Sequence, residues 1–187
     1  MATVSTHRAT LADLMKTPGK AELIDGRIVH LMATGHRPNR IAARIFRSLD
    51  DFAEAGGWGI AYTDNIGFAV PELSSGRESF SPDASFFTGP TPENEMAFPS
   101  GAPIFAIEVR SDGDYGPAAE RDMAAKRADY FEAGTEVVWD VDPIAETIRS
   151  YSRSTPQSPV IFKPGMLADA GSALPEWSMD VTTLFRP

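Results

Sequence analysis

Hydrophobic residues recur along the chain with two different periods, which predict separate helical and extended segments. After Pro38 they follow steps of three and four, as on one face of an amphipathic helix, and Gly56-Gly57 predicts the end of that helix. Its apolar positions are Ile41, Ile45, Leu49 and Phe52. A second helix is predicted over 117–133, because Pro117 suits a first helical turn and Gly134 suits a terminus.

The other apolar segments are short and bounded by turn residues, which predicts strands. They are 21–24, 27–32, 58–62, 66–70, 82–87, 103–109, 136–141 and 147–152, with weaker signals near 160–162 and 167–168. Asp25-Gly26 predicts a type I′ turn between the first two strands. Near the two ends of the chain we expect a short helix at 11–16 and an apolar turn at 181–185. Loops are expected at 71–79 and 88–103. The order of these helices and strands predicts an α/β fold of the α+β kind, in which helices flank a mixed β-sheet.

Two acidic residues stand in strands that are otherwise apolar. Asp83 opens the segment 82–87, and Glu108 lies near the end of 103–109. A carboxylate in a dry site is costly unless it is paired, protonated or bound to a metal. If the two strands pair, these carboxylates stand side by side, and oxygen ligands so arranged suit a hard divalent cation. The pattern therefore predicts a metal site.

Lys126 occupies the middle of the apolar stripe of the second predicted helix. Its neighbours on that stripe are Ala119, Met123, Tyr130 and Ala133. Helical amphipathicity would place a leucine there, so the ammonium needs a partner, either Asp122 one turn earlier or the carboxylates of the sheet. Next to a metal, Lys126 could hold a scissile phosphate or assist the attacking water.

Composition narrows the classes of function. The chain has 187 residues, 42% of them hydrophobic, which predicts a single domain over 1–187. It contains no cysteine, which excludes disulfides, thiolate metal sites and cysteine nucleophiles. No apolar run approaches the roughly 20 residues of a membrane span, and the first 16 residues lack signal-peptide features. We expect a cytoplasmic protein without membrane contact.

The net charge of −9 counts against a protein that coats nucleic acid, since such binding depends on neutralising phosphates. It counts less against a nuclease, whose metal neutralises charge locally. The sequence contains no glycine-rich phosphate loop, dinucleotide fingerprint or Gly-x-Ser-x-Gly elbow, so no other cofactor class finds support.

Several short motifs, in order and spacing, resemble one known family. They are Glu22-Leu23-Ile24-Asp25-Gly26, Pro82-Asp83, Glu108-Val109-Arg110-Ser111, Asp122 with Lys126 and Tyr130, Ala133-Gly134, Val138-Trp139-Asp140-Val141-Asp142-Pro143, Leu174-Pro175 and Leu184-Phe185. Together they resemble the Uma-type restriction endonuclease family of the PD-(D/E)XK nuclease superfamily, over roughly residues 10–186.

This resemblance implies a restriction-endonuclease-like core and Mg²⁺-dependent (or Mn²⁺-dependent) hydrolysis of nucleic acid, with DNA favoured over RNA. It implies Asp83 and Glu108 as metal ligands, the backbone carbonyl of Val109 as a third oxygen, and Glu22 as an additional acidic site residue. The superfamily's lysine two residues after the second acid is here Arg110, which cannot easily lose a proton. Lys126 on the following helix fits the role of that lysine.

Simpler interpretations of the same residues stay open at this point. Asp83 could bind a loop amide, Lys126 could extend to solvent, and Glu22 could be an exposed strand residue. Arg110 could be a surface charge at a strand end, and Tyr130 a core residue. The competing hypothesis for the whole chain is a catalytically inactive nuclease fold that acts as a binding or assembly module. We expect a homodimer, because both strands of a duplex need cutting.

Overall fold

A computed structural model describes residues 8–56 and 58–186. Its helices are α1 (Leu11–Leu14), α2 (His36–Gly56), α3 (Pro117–Glu132) and α4 (Val181–Leu184). Its strands are β1 (Ala21–Ile24), β2 (Arg27–His30), β3 (Ile60–Thr63), β4 (Phe68–Ala69), β5 (Ser79–Phe80), β6 (Ala84–Phe87), β7 (Phe105–Val109), β8 (Val137–Asp142), β9 (Thr147–Ser152), β10 (Thr155–Phe162), β11 (Leu167–Asp169) and β12 (Ser178–Asp180).

A mixed sheet forms the centre of the molecule. In the described part of the chain it has six strands in the order β10-β9-β8-β7-β6-β3, and the pair β7–β8 is parallel while the other pairs are antiparallel. Three ribbons of two strands, β1–β2, β4–β5 and β11–β12, surround it. The predicted mixed sheet is confirmed, and the crossover between its two parallel strands is α3.

Helices cover both faces of this sheet, as expected. The apolar side of α2 joins one core with the face of β7 that carries Phe105, Ile107 and Val109. On the other face, Ala106 belongs to a second core together with Tyr130 of α3. Glu108 shares the face of Ala106 because side chains alternate along a strand. The candidate carboxylate is therefore on the α3 side of the sheet.

The boundaries of several elements differ from the expectation. Helix α2 begins at His36, ahead of Pro38, because a proline suits the first turn, where its missing N–H is not needed. Helix α1 ends at Leu14 and begins with a capping box in which Thr10 and Asp13 bond each other's backbone N–H groups. The turn at Asp25-Gly26 has φ values of 49° and 64°, which confirms the type I′ hairpin.

Two short strands were not predicted. Strand β5 lies in the expected loop 71–79 and the residue after it, and β12 precedes the final turn. Each is held by one antiparallel partner, β4 and β11 respectively. The weak strand signal near 160–162 corresponds to the end of β10, an eight-residue strand at the sheet edge. Pro156 and Pro159 lower its strand signal, but an edge strand tolerates proline.

Candidate active site

Asp83 and Glu108 lie on neighbouring strands, as the sequence predicts. The antiparallel register pairs Ala84 with Ile107, and the backbone N–H of Asp83 donates to the carbonyl of Ile107 at 3.0 Å. This places Asp83 next to Glu108 on the face that α3 covers. The Oδ2 atom of Asp83 accepts a hydrogen bond from the backbone N–H of Val109 at 2.8 Å. The carboxylate of Asp83 is thereby fixed against β7.

Lys126 points from α3 to the same place. Its Nζ atom lies 2.9 Å from Oε1 of Glu108 and 3.0 Å from Oε1 of Glu22. The hydroxyl of Tyr130, one turn further along α3, donates to Oε1 of Glu108 at 2.7 Å. Of the two kinds of partner left open for this lysine, the structure shows the sheet carboxylates rather than Asp122. Lys126 and Tyr130 hold Glu108 from one side.

Glu22 is deeply buried, so the alternative of an exposed strand residue is wrong. Only 2% of the residue is exposed, because the β1–β2 hairpin lies against β5. Its carboxylate accepts hydrogen bonds from Arg77 and from the backbone N–H of Ser81, the latter at 2.9 Å. Burial acts to raise the pKa of Glu22, but Lys126 and Arg77 outweigh it and the net shift is downward. Glu22 is ionised and anchors the ammonium of Lys126.

Glu108 differs from Glu22 in its electrostatics. Burial raises the pKa of Glu108, Lys126 acts against that rise, and Asp83 adds to it. For Lys126 the balance is reversed: burial acts to lower its pKa, but Glu108 and Glu22 raise it above the ordinary value. The lysine is therefore held as an ammonium ion. Glu108, in contrast, carries a charge that the site only partly compensates.

Arg110 does not take the place of the superfamily's lysine. Its guanidinium forms two bonds to Asp140, from Nε to Oδ1 and from Nη2 to Oδ2, each at 2.7 Å, and Nη1 binds Glu120. Its side chain is 2% exposed, so the alternative of a surface charge is wrong. No contact joins it to Asp83 or Glu108 among the residues that the structure describes. The cation beside these carboxylates is Lys126 instead.

Two further residues belong to the cluster, and the sequence analysis missed both. Lys20, directly before β1, places its Nζ atom 2.7 Å from Oδ1 of Asp83 and 2.6 Å from Oδ1 of Asp64. Asp64 lies in the turn after β3, and its Oδ1 atom also accepts from the N–H of Asn65. The one feature of the sequence that marks Lys20 is its position directly before the apolar β1–β2 hairpin. The turn residue Asp64 gave no signal.

An open cleft of about 650 Å³ gives access to this cluster. Its lining includes Asp83, Glu108 and the part of α3 around Lys126. Residues 29–34 also line it, including Met32, which is 90% exposed. His36 is exposed at the start of α2 and does not line the cleft.

Oxygen atoms dominate the donor set at the base of the cleft. Among residues 8–56 and 58–186, no three His, Cys, Asp or Glu side chains form a metal-ligating group. The pair Asp83 and Glu108 nevertheless fits Mg²⁺, which needs one or two carboxylates and keeps several waters. In residues 8–56 and 58–186, the side-chain contacts of the Glu108 carboxylate, with Lys126 and Tyr130, both use Oε1, so Oε2 has lone pairs for another ligand. The incompletely compensated charge of Glu108 also favours a cation.

The family model Uma2, described as "Putative restriction endonuclease", matches residues 8–182. The chain belongs to this family. No curated protein matches the Uma2 chain. In the described part of this family member, no helix is long and apolar enough to cross a membrane.

A solved structure shares the fold of this Uma2 protein. It is described as a "putative nuclease belonging to DUF820" from Anabaena variabilis ATCC 29413. The TM-score is 0.73 at 22% identity, and the match covers 94% of this chain and 97% of the other. At this identity the likeness shows the fold alone. It confirms the predicted nuclease-like architecture over nearly the whole chain.

Proposed function

We propose that this Uma2 family member is a metal-dependent endonuclease that hydrolyses phosphodiester bonds of nucleic acid, with DNA as the substrate. One observation carries the proposal. Asp83 and Glu108 stand side by side on neighbouring strands, Lys126 places its ammonium 2.9 Å from Glu108, and all three residues line an open cleft. Membership of a family described as restriction endonucleases supports the same reaction class.

In this proposal Asp83 and Glu108 hold Mg²⁺ or Mn²⁺, and the backbone carbonyl of Val109 adds a third oxygen. The cation supplies a bound water of lowered pKa and positive charge for the scissile phosphate. Asp83 is kept in place by the N–H of Val109, and Glu108 by the hydroxyl of Tyr130. These contacts prearrange both carboxylates before substrate arrives.

Lys126 acts on the phosphate as a charge rather than as a base. Glu22 and Glu108 hold its pKa above the ordinary range, so the ammonium keeps its proton at neutral pH. A fixed cation beside the reacting phosphate stabilises the negative charge that develops there. Glu22, which Arg77 and Ser81 fix in turn, orients Lys126 without contacting substrate.

Cleavage of supercoiled plasmid and of single-stranded DNA with Mg²⁺ or Mn²⁺ tests this proposal. We expect cleavage by the wild type and by Lys163→Ala, an exposed control, and loss of cleavage in Asp83→Ala, Glu108→Ala and Lys126→Ala. Calorimetry should show that Asp83→Ala also loses divalent-metal binding while it remains folded. Metal binding in Asp83→Ala equal to that of the wild type would contradict the site assignment.

A catalytically inactive binding or assembly module is the second candidate. The observation that favours it is Arg110, which stands at the position of the motif lysine and is committed to Asp140 and Glu120. This candidate predicts a stable partner complex and no turnover on DNA or RNA with either metal. Metal-dependent cleavage that disappears in Lys126→Ala would exclude it.

We also propose that the protein acts as a homodimer. A single cleft reaches one strand at a time, and cutting both strands of a duplex needs two centres. Sedimentation at micromolar concentration tests the assembly, and a monomeric mass under conditions that support double-strand cleavage would contradict it.

A further inference from the structure

Lys20 is the second lysine of the cluster, and the proposed function gives it no role. Its ammonium bridges Asp83 and Asp64, and 14% of its side chain is exposed. The side chain reaches Asp83 across 63 residues of sequence, so the contact forms only in the folded chain. Each of the two proposed metal-binding carboxylates therefore contacts an ammonium group, Glu108 that of Lys126 and Asp83 that of Lys20, and Lys20 also attracts Glu108 electrostatically.

The contacts of Asp83 leave little room for an additional cation. Its Oδ2 atom accepts from the N–H of Val109, and its Oδ1 atom faces Lys20 at 2.7 Å. The N–H group is fixed within β7, whereas a lysine side chain has a flexible four-carbon stem. Lys20 is therefore the contact that can give way. Glu108 differs, because no ammonium in the described part of the chain contacts its Oε2 atom.

Asp64 is a second carboxylate partner for the ammonium of Lys20. Its Oδ1 atom lies 2.6 Å from Nζ of Lys20, and its side chain is 26% exposed, against 12% for Asp83. If Lys20 loses the contact with Asp83, it still has a carboxylate partner near water. The cost of leaving a buried charge without a partner is thus avoided.

We propose that Lys20 holds the place of the divalent cation at Asp83 in the metal-free protein, and that cation binding shifts its ammonium wholly onto Asp64. This inference rests on the proposed function, because it takes Asp83 as a metal ligand. Lys20 is a positioning residue in this scheme: it keeps Asp83 in place without metal and sets the metal concentration at which the site fills.

Calorimetric titration with Mn²⁺, without nucleic acid, tests the inference. We expect Lys20→Met to bind Mn²⁺ tighter by about tenfold or more, because the metal no longer displaces a buried ammonium. Lys20→Arg keeps the competing charge and should stay near the wild type. The matched control is Lys16→Met, an exposed lysine four residues earlier. Equal or weaker Mn²⁺ binding by Lys20→Met overturns the inference.

Asp64→Asn probes the second half of the exchange. It removes the remaining partner of Lys20, so Mn²⁺ binding should weaken, and it should weaken more in the wild-type background than in Lys20→Met. An equal effect in both backgrounds overturns the shift onto Asp64. Thermal unfolding in EDTA and in Mn²⁺ shows whether each variant folds. Lys20→Met should gain more stability from Mn²⁺ than the wild type does.

The outcomes separate this inference from the proposed function. Tighter Mn²⁺ binding in Lys20→Met without DNA cleavage by any protein supports the exchange and contradicts the nuclease. Cleavage by the wild type with unchanged Mn²⁺ affinity in Lys20→Met supports the nuclease and contradicts the exchange. If no variant binds Mn²⁺, both are overturned.

Discussion

Replacing Arg77 by methionine is expected to destabilise the protein severely, because this side chain joins two buried carboxylates. Its Nη1 atom donates to Glu22, and its Nε atom donates to Oδ2 of Asp129 at 2.8 Å. The exposed fractions of the three side chains are 8% for Arg77, 3% for Glu22 and 10% for Asp129. Water can therefore do little to replace the guanidinium.

The loss of stability in Arg77→Met depends on which contacts the neighbouring side chains retain. Methionine still covers the ring of Phe80, which lies 5.1 Å from the guanidinium carbon, so little packing is lost. Glu22 keeps the N–H of Ser81 and the ammonium of Lys126, whereas Asp129 loses its ion pair. Breaking a buried pair by removing one partner costs about 3–5 kcal/mol. We expect a loss of that order for Arg77→Met.

Urea unfolding near neutral pH, followed by tryptophan fluorescence, measures this loss. Arg153→Met is the control, because the Arg153 side chain is 52% exposed in its pair with Glu136 and should cost about 0–1 kcal/mol. Adding Asp129→Asn to Arg77→Met should recover part of the loss, since the buried negative charge disappears. A cost for Arg77→Met no larger than that of Arg153→Met would refute the reasoning.

The other predictions concern the site and one tight turn. Glu108→Gln should raise the free energy of unfolding in EDTA. Burial raises the folded-state pKa of Glu108 above its ordinary 4.5, so the ionised carboxylate costs stability at higher pH and glutamine removes that cost. The stability gained by the substitution should therefore vanish below pH 4.5. A pH series of urea titrations checks this, and a gain that persists in acid would contradict it. Lys126→Met should lower the cleavage rate by about 100-fold or more, while the exposed Lys163→Met should not; single-turnover assays compare them. Gly59→Ala should cost clearly more stability than Gly101→Ala: both have positive φ, but at Gly59 a Cβ would meet the Phe86 ring at 2.3 Å, and at Gly101 it would meet nothing within 4 Å. Thermal unfolding of both variants decides this, and equal losses would contradict it.

The acidic pair, Asp83 and Glu108, was predictable from sequence because the free-energy cost of each carboxylate arises from its immediate neighbours in the chain. A carboxylate within an apolar strand conflicts with its immediate neighbours, and this conflict is visible without knowing the fold. Strand alternation then assigned Asp83 and Glu108 to one face, and the register confirms that arrangement. The inward position of Lys126 was predictable for the same reason, because helical periodicity is also a local property.

The ionic partners of Glu22 and Lys20 were not predictable, except for Lys126 at Glu22, because they come from segments far apart in the chain. The pattern of β1 does not show that both of its faces are buried; this follows from packing against β5, where the N–H of Leu23 bonds Oγ of Ser79 at 2.7 Å. The burial of Glu22 and its contact with Arg77 depend on that packing. Likewise, nothing in the sequence near Lys20 indicates Asp64 or Asp83. The short strands β5 and β12 are too brief to show a period.

The dispersed origin of the charged cluster also has a consequence during protein synthesis. Glu22 and Lys20 leave the ribosome early, Asp83 and Glu108 follow, and the ammonium of Lys126 arrives only with α3. A nascent chain that ends before α3 has the acidic residues but lacks the cation that binds two of them. The charged cluster therefore cannot be complete before α3 has been synthesised. Because Lys126 is the last of these charged side chains in the sequence, truncation anywhere before α3 removes the contact that joins Glu22 to Glu108.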